Sequence, residues 1–120
     1  MFDPQAPSVD PVAGARALVE GLAGEDRGGW GPSARAERVR ALAALRERVD
    51  AALIAAADEW DAGGDWALDG ARSAAMWFGV HTPMTKTDGA QIALDAEFHR
   101  AHPDIAAALA MGAITASHVR

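Results

Sequence analysis

His99 and His102 stand three residues apart, with Asp95, Glu97 and Asp104 close by. Two imidazoles at that spacing can share one helical face and hold a divalent metal if a third ligand joins them. Pro103 sets a helix boundary beside them, and imidazoles in a last helical turn also complement the negative end of the helix dipole. No third ligand is placed by the spacing, so the pair reads as terminal histidines and no metal is expected. Ser117-His118 has no acid nearby in sequence and no nucleophile turn, so no catalytic residue is assigned. Asp69-Gly70 and Asp88-Gly89 are single dipeptides, without the several oxygen ligands spaced by two of a calcium loop. The first reads as a cap with a close-packing glycine, the second as a weak spot in an early helical turn. The glycine-rich stretch 25–32 around Trp30 lacks the Gly-Lys-Ser/Thr ending of a phosphate loop. It reads as a hinge, and no cofactor is expected.

Binding chemistry has more to work with. Residues 33–49 carry Arg35, Arg38, Arg40, Arg46 and Arg48 against Glu37 and Glu47, a local +3, and residues 50–69 carry six acids and no base. On one helix that order opposes the macrodipole, at a cost of a few tenths of a kcal/mol per exposed charge. The arginines are then either a solvated face or contacts to something acidic, a partner or DNA. The four tryptophans read first as hydrophobic anchors with their N–H directed to an acceptor; stacking on bases is the sharper alternative. Residues 106–120 close one helix on Gly112, dock Ile114 and open another at Thr115, the geometry of a helix-turn-helix corner. Many such corners are purely structural, and this one offers a single basic residue, Arg120, beyond the turn.

The elements that position these residues are all helices. Asp10 caps and Pro11 opens a first helix that Gly24 ends. Ser33 is the expected N-cap of a long helix over about 34–61, because nothing in between breaks one. Val39, Leu42, Leu45, Val49, Leu53 and Trp60 then fall on one continuous face. At 1.5 Å per residue its 28 residues span roughly 42 Å, so it either carries the shorter helices or reaches beyond them to a partner. Gly63-Gly64 turns the chain. Asp65 or Asp69 caps a helix to about Val80, Thr85 one to about Arg100, Pro103 opens a short one to Met111, and Thr115 a last one. No β-branched, period-two run suggests a strand. The expected fold is all-α, about six helices around one long central helix, with residues 1–8 a flexible tail and 9–120 a single helical domain.

Composition closes off several classes. Of 120 residues 30 are alanine and only 6% aromatic, so the core must be built from small contacts and a few large anchors. The absence of cysteine removes disulfide scaffolds, thiolate zinc sites and thiol nucleophiles. No apolar run approaches the roughly 20 residues of a membrane span, and the first residues lack a signal-peptide pattern, so a cytoplasmic chain is expected. A formal charge of −6 disfavours phosphate binding as a default.

Three segments together resemble a known family: Leu42-Ala43-Ala44-Leu45-Arg46 with Val49-Asp50-Ala51-Ala52, then 66–77, then 106–120. Asp69, Gly70, Ser73 and Trp77, then Thr85, then Leu109, Gly112, Ile114, Thr115, His118 and Val119 look like the successive motifs of the actinobacterial domain of unknown function 222, the 13E12-repeat family. The resemblance covers about residues 33–120 and departs between Thr85 and Pro103, where Lys86-Thr87-Asp88-Gly89 and Phe98-His99-Arg100-Ala101-His102 replace an arginine-rich amphipathic helix. It implies a non-catalytic accessory domain of the kind found ahead of an HNH endonuclease module, incomplete here at its C-terminus. The nuclease's own histidines and asparagine have no counterpart. The expected work is positioning of DNA, through Arg35, Arg38, Arg40, Arg46 and Arg48, or of protein. The alternatives are a module that self-associates through the long helix, an inactive fragment, and, third, a small metal-dependent hydrolase using His99 and His102. The expected partners are a protein or a second copy along that helix, or weakly bound DNA, and no membrane.

Overall fold

The structure, a computed structural model, describes residues 10–119; the tail expected over residues 1–8 lies outside them. Six α-helices account for most of the described residues, which include no strand: α1 (Pro11–Gly21), α2 (Pro32–Ala62), α3 (Ala74–His81), α4 (Lys86–Ala101), α5 (Pro103–Met111) and α6 (Ala116–Val119). Two single turns of 3-10 helix, Leu22–Gly24 and Asp65–Asp69, join them. The chain divides into two compact units between Arg38 and Val39.

In the first unit the Asp10 side chain accepts from the Val12 N–H at 3.1 Å, and Pro11 occupies a position that needs no donor. The α-helix stops at Gly21, and the 3-10 turn carries the chain to Gly24. None of α1 is buried. The start of α2 differs from expectation: Pro32 opens the helix and the Gly31 carbonyl receives the Arg35 N–H at 3.1 Å, so Ser33 lies inside the first turn. Proline's fixed φ preorganises that turn.

The second unit holds the core. Ile54 and Ala57 of α2, Phe78 of α3, Ile92 and Ala96 of α4 and Ala116 of α6 are buried together, with Leu53, Trp60, Trp77 and Met84 packed around them. Gly63-Gly64 ends α2 as expected, Gly64 taking φ of +65°. The next segment corrects the expectation of a helix from Asp65 or Asp69. Residues 65–69 form only the 3-10 turn, and Gly70 at φ +80° breaks it. Ser73 is the true cap of α3, its hydroxyl accepting from the Met76 N–H at 3.1 Å. Thr85 caps α4 in the same way through the Asp88 N–H.

Gly89 is more than the weak spot that its type suggests. It is buried, and a Cβ built there would lie 2.6 Å from the Phe78 Cβ. That missing atom lets α4 lie directly on α3. Helix propensity alone favours Gly89→Ala by about 1 kcal/mol, whereas overpacking a close contact between two helices costs about 1–3 kcal/mol. The clash wins because the opposing atom is the stem of a buried side chain with no free end to swing away. Gly89→Ala is expected to lower the urea midpoint at unchanged m-value; a raised midpoint would mean that the helices do not touch here.

Candidate functional site

Glu47 and Arg48, adjacent on α2, hold the two sides of the α5–α6 corner. Arg48 donates to the Leu109 and Ala110 carbonyls at 3.1 and 3.3 Å, at the C-terminal end of α5. Glu47 accepts from the Ser117 N–H at 3.2 Å and from the Ser117 hydroxyl, at the N-terminal end of α6. A cation thus meets carbonyls at a helix C-terminus and an anion meets an N–H at a helix N-terminus, the pairing that helix ends favour. Between them Gly112 takes φ of +76°, and the Ala113 N–H reaches back to the Ala108 carbonyl at 2.9 Å. A Cβ on Gly112 would stand 2.8 Å from the Arg48 guanidinium. His118 completes the turn: its Nδ1 accepts from the Thr115 N–H at 3.2 Å, a capping box with imidazole in place of the usual carboxylate. Leu109 and Ala116 are buried beneath.

Several residues singled out from the sequence make identifiable contacts. The Trp77 indole donates to Asp69 at 2.8 Å across Gly70, tying α3 back to the 3-10 turn. Ser117 and His118 bond to different partners, so the dipeptide makes no nucleophile–base pair. The two histidines of α4 also part company. His99 donates from Nδ1 to Asp58 at 2.6 Å. His102 donates to the Phe98 carbonyl at 2.9 Å and stacks on the Phe98 ring. Among the described residues no three histidine or acidic side chains converge to hold a metal ion.

The acidic half of α2 is largely spoken for. Asp58 receives His99 and Arg100, and Asp61 receives Arg100 at 3.2 Å and the Trp66 indole at 2.9 Å. These bonds bind α4 to α2 and compensate acids placed at the unfavourable end of the helix dipole. Asp58, Asp61, Arg100 and Glu47 were not legible as site residues, because their partners lie some 40 to 70 positions away.

Four of the five arginines have partners within the chain. Arg35 donates to the Trp30 carbonyl. Arg38 pairs with Glu25 at 3.0 Å and lies over the Trp30 ring, 5.3 Å from its centroid, so Trp30 does fold back onto a helix as a packing anchor. Arg48 holds the corner, and Arg40 also has a partner. Arg46 alone makes no hydrogen bond or ion pair among the described residues; it borders a shallow depression with Asp50, Met84, Asp88, Gln91 and Ile92.

The apolar face of α2 divides along its length. Its C-terminal part is covered, with Ile54 1% exposed and Trp60 against the rings of Trp77 and Phe78 at 4.6 and 5.5 Å. Its earlier part is open: Val39, Leu42, Leu45 and Val49 are 66%, 36%, 43% and 55% exposed. Every residue from 39 to 46 is exposed. No described helix is long and apolar enough to cross a membrane. Comparison with family models, curated proteins and solved structures finds no match for this chain.

Arg48→Ala is expected to cost about 1 kcal/mol, the typical net contribution of hydrogen bonds at an exposed site, and to release the α6 amides to hydrogen exchange before those of α4. Unchanged protection at residues 113–119 would show that α2 does not hold the corner.

Proposed function

We propose that this chain is a non-catalytic helical accessory domain that docks a protein partner along the exposed part of α2. The observation that carries this reading is the open stripe Val39, Leu42, Leu45 and Val49 on a helix otherwise secured by its neighbours. Scattered exposed apolar residues need no explanation, but a contiguous stripe at helical spacing is how a helix meets another helix. The resemblance to the 13E12-repeat family, whose helical domains stand ahead of HNH endonuclease modules, supports an accessory role.

Protein docking has better support than DNA positioning. Phosphate contact needs cations free to replace counterions, and Arg35, Arg38 and Arg48 already donate to acceptors within the chain. Arg46 is one charge beside Asp50 and Asp88. Fluorescence anisotropy at low salt is therefore expected to register no binding of duplex DNA that Arg40→Glu with Arg46→Glu would remove. A steeply salt-dependent complex lost in that variant would restore the DNA reading.

The docking reading is tested by a photo-crosslinking residue at position 42, with position 68 as control, since Leu68 is an exposed apolar residue off the stripe. Capture of protein is expected at 42 and not at 68, and is expected to disappear when Val49→Glu is added. Equal capture at both positions, or capture indifferent to Val49→Glu, sinks the proposal.

A further inference from the structure

We propose that the cleft between the 3-10 turn at Asp65–Asp69, the start of α3 and α4 binds a free α-amino acid with an aromatic side chain. None of its lining residues belongs to the α2 stripe, and the proposal does not rest on the docking reading. The cleft encloses about 390 Å³, within the range of small-molecule sites. It exists because small residues line it. Ala74 and Ala75 of α3 and Ala90 and Ala93 of α4 give it a floor of methyl groups where longer side chains would close the gap. Trp66 forms a wall, and its indole N–H donates to Asp61 at 2.9 Å, which fixes the ring before any ligand arrives. A flat apolar floor beside an oriented indole suits a planar ring. Leu94, 60% exposed, extends the apolar surface at the rim.

Two charges of opposite sign line the same cleft. Arg72 and Glu97 are exposed, make no ion pair with each other and have no other partner among the described residues. The acids nearby differ, because Asp58 and Asp61 are already matched by His99 and Arg100. Glu97 is therefore the carboxylate left for a ligand cation. The backbone at Arg72 is held from both sides. Gly70 at φ +80° and the Trp77 indole on Asp69 fix the turn before it, and Ser73 after it caps α3. The Ser73 oxygen accepts from the Met76 N–H at 3.1 Å, which leaves the hydroxyl proton to donate. A ligand carboxylate thus meets the Arg72 guanidinium and the Ser73 hydroxyl, and a ligand ammonium meets Glu97. The aromatic side chain lies on the alanine floor against Trp66. An anion or a cation alone would leave one charge of the cleft unmatched, whereas a zwitterion matches both.

The test is a ligand titration followed through the Trp66 indole N–H resonance by NMR. Phenylalanine is expected to bind with millimolar affinity, as suits a small ligand in an open cleft. Phenethylamine lacks the carboxylate and 3-phenylpropionate lacks the ammonium. Each is expected to bind about fivefold more weakly, the loss of one charge-assisted contact at an exposed group. Glycine, with both charges and no side chain, is expected to leave the resonance in place. Arg72→Gln is expected to weaken phenylalanine and 3-phenylpropionate by a similar factor and to spare phenethylamine. Glu97→Gln is expected to weaken phenylalanine and phenethylamine and to spare 3-phenylpropionate. That crossed pattern cannot come from a variant that has failed to fold, which would lose all three aromatic ligands alike. A Trp66 resonance that does not move with phenylalanine overturns the proposal. So does equal binding of the three aromatic ligands, binding of glycine as tight as that of phenylalanine, or equal weakening of all three by either substitution.

Discussion

Close helix approach in residues 39–120 depends on alanine and glycine standing opposite a few large side chains, Ile54, Phe78 and Ile92 among them. Ile54 is the largest side chain that is fully buried, and its companions in the core include Ala57, Ala96 and Ala116. Alanine contributes little apolar area, so such a core holds only if the helices come close and many small contacts accumulate. Gly89 against Phe78 is one such close approach. Everything else in the unit follows from keeping helices at that distance. The aromatic rings of Trp60 and Trp77 sit around the small-residue core as anchors, each indole or ring edge directed to a neighbour.

Close packing with small residues leaves orientation weakly specified, and polar contacts supply what shape does not. Asp58 and Asp61 take hydrogen bonds from His99, Arg100 and Trp66, fixing how α4 crosses α2. Glu47 and Arg48 do the same for the α5–α6 corner by meeting opposite helix ends. The charge polarity of α2, costly for an isolated helix, is in this way used by the helices around it. The same economy explains why the stripe before Leu53 is conspicuous. Among the exposed large apolar side chains, these four follow one another along a single helix.

Much of the architecture was legible from local chemistry. Asp10-Pro11, Gly63-Gly64, Thr85, Pro103 and Gly112 act where their types predict, because caps, left-handed turns and missing donors are properties of a residue and its near neighbours. The errors came where two signals competed over a few residues. Pro32 displaced Ser33 as the marker of the α2 start. The acids at 65 and 69 resembled caps, but Gly70 in a left-handed conformation broke the chain and handed the cap to Ser73. The α4 histidines, three apart, share neither a partner nor a metal-binding group, because one faces Asp58 and the other folds onto Phe98.

What the sequence determined by itself is the set of helices, their ends and the apolar face of α2, since these depend on propensity, capping and period. Only the tertiary structure decided which charges are spent internally and which stay free. Arg35, Arg38, Arg46 and Arg48 are equivalent as residue types, yet three are held by acceptors and Arg46 is not. The structure likewise split one uniform stripe into a buried end and an open end. Both outcomes turn on partners distant in the chain, and no local pattern encodes where such partners come to rest.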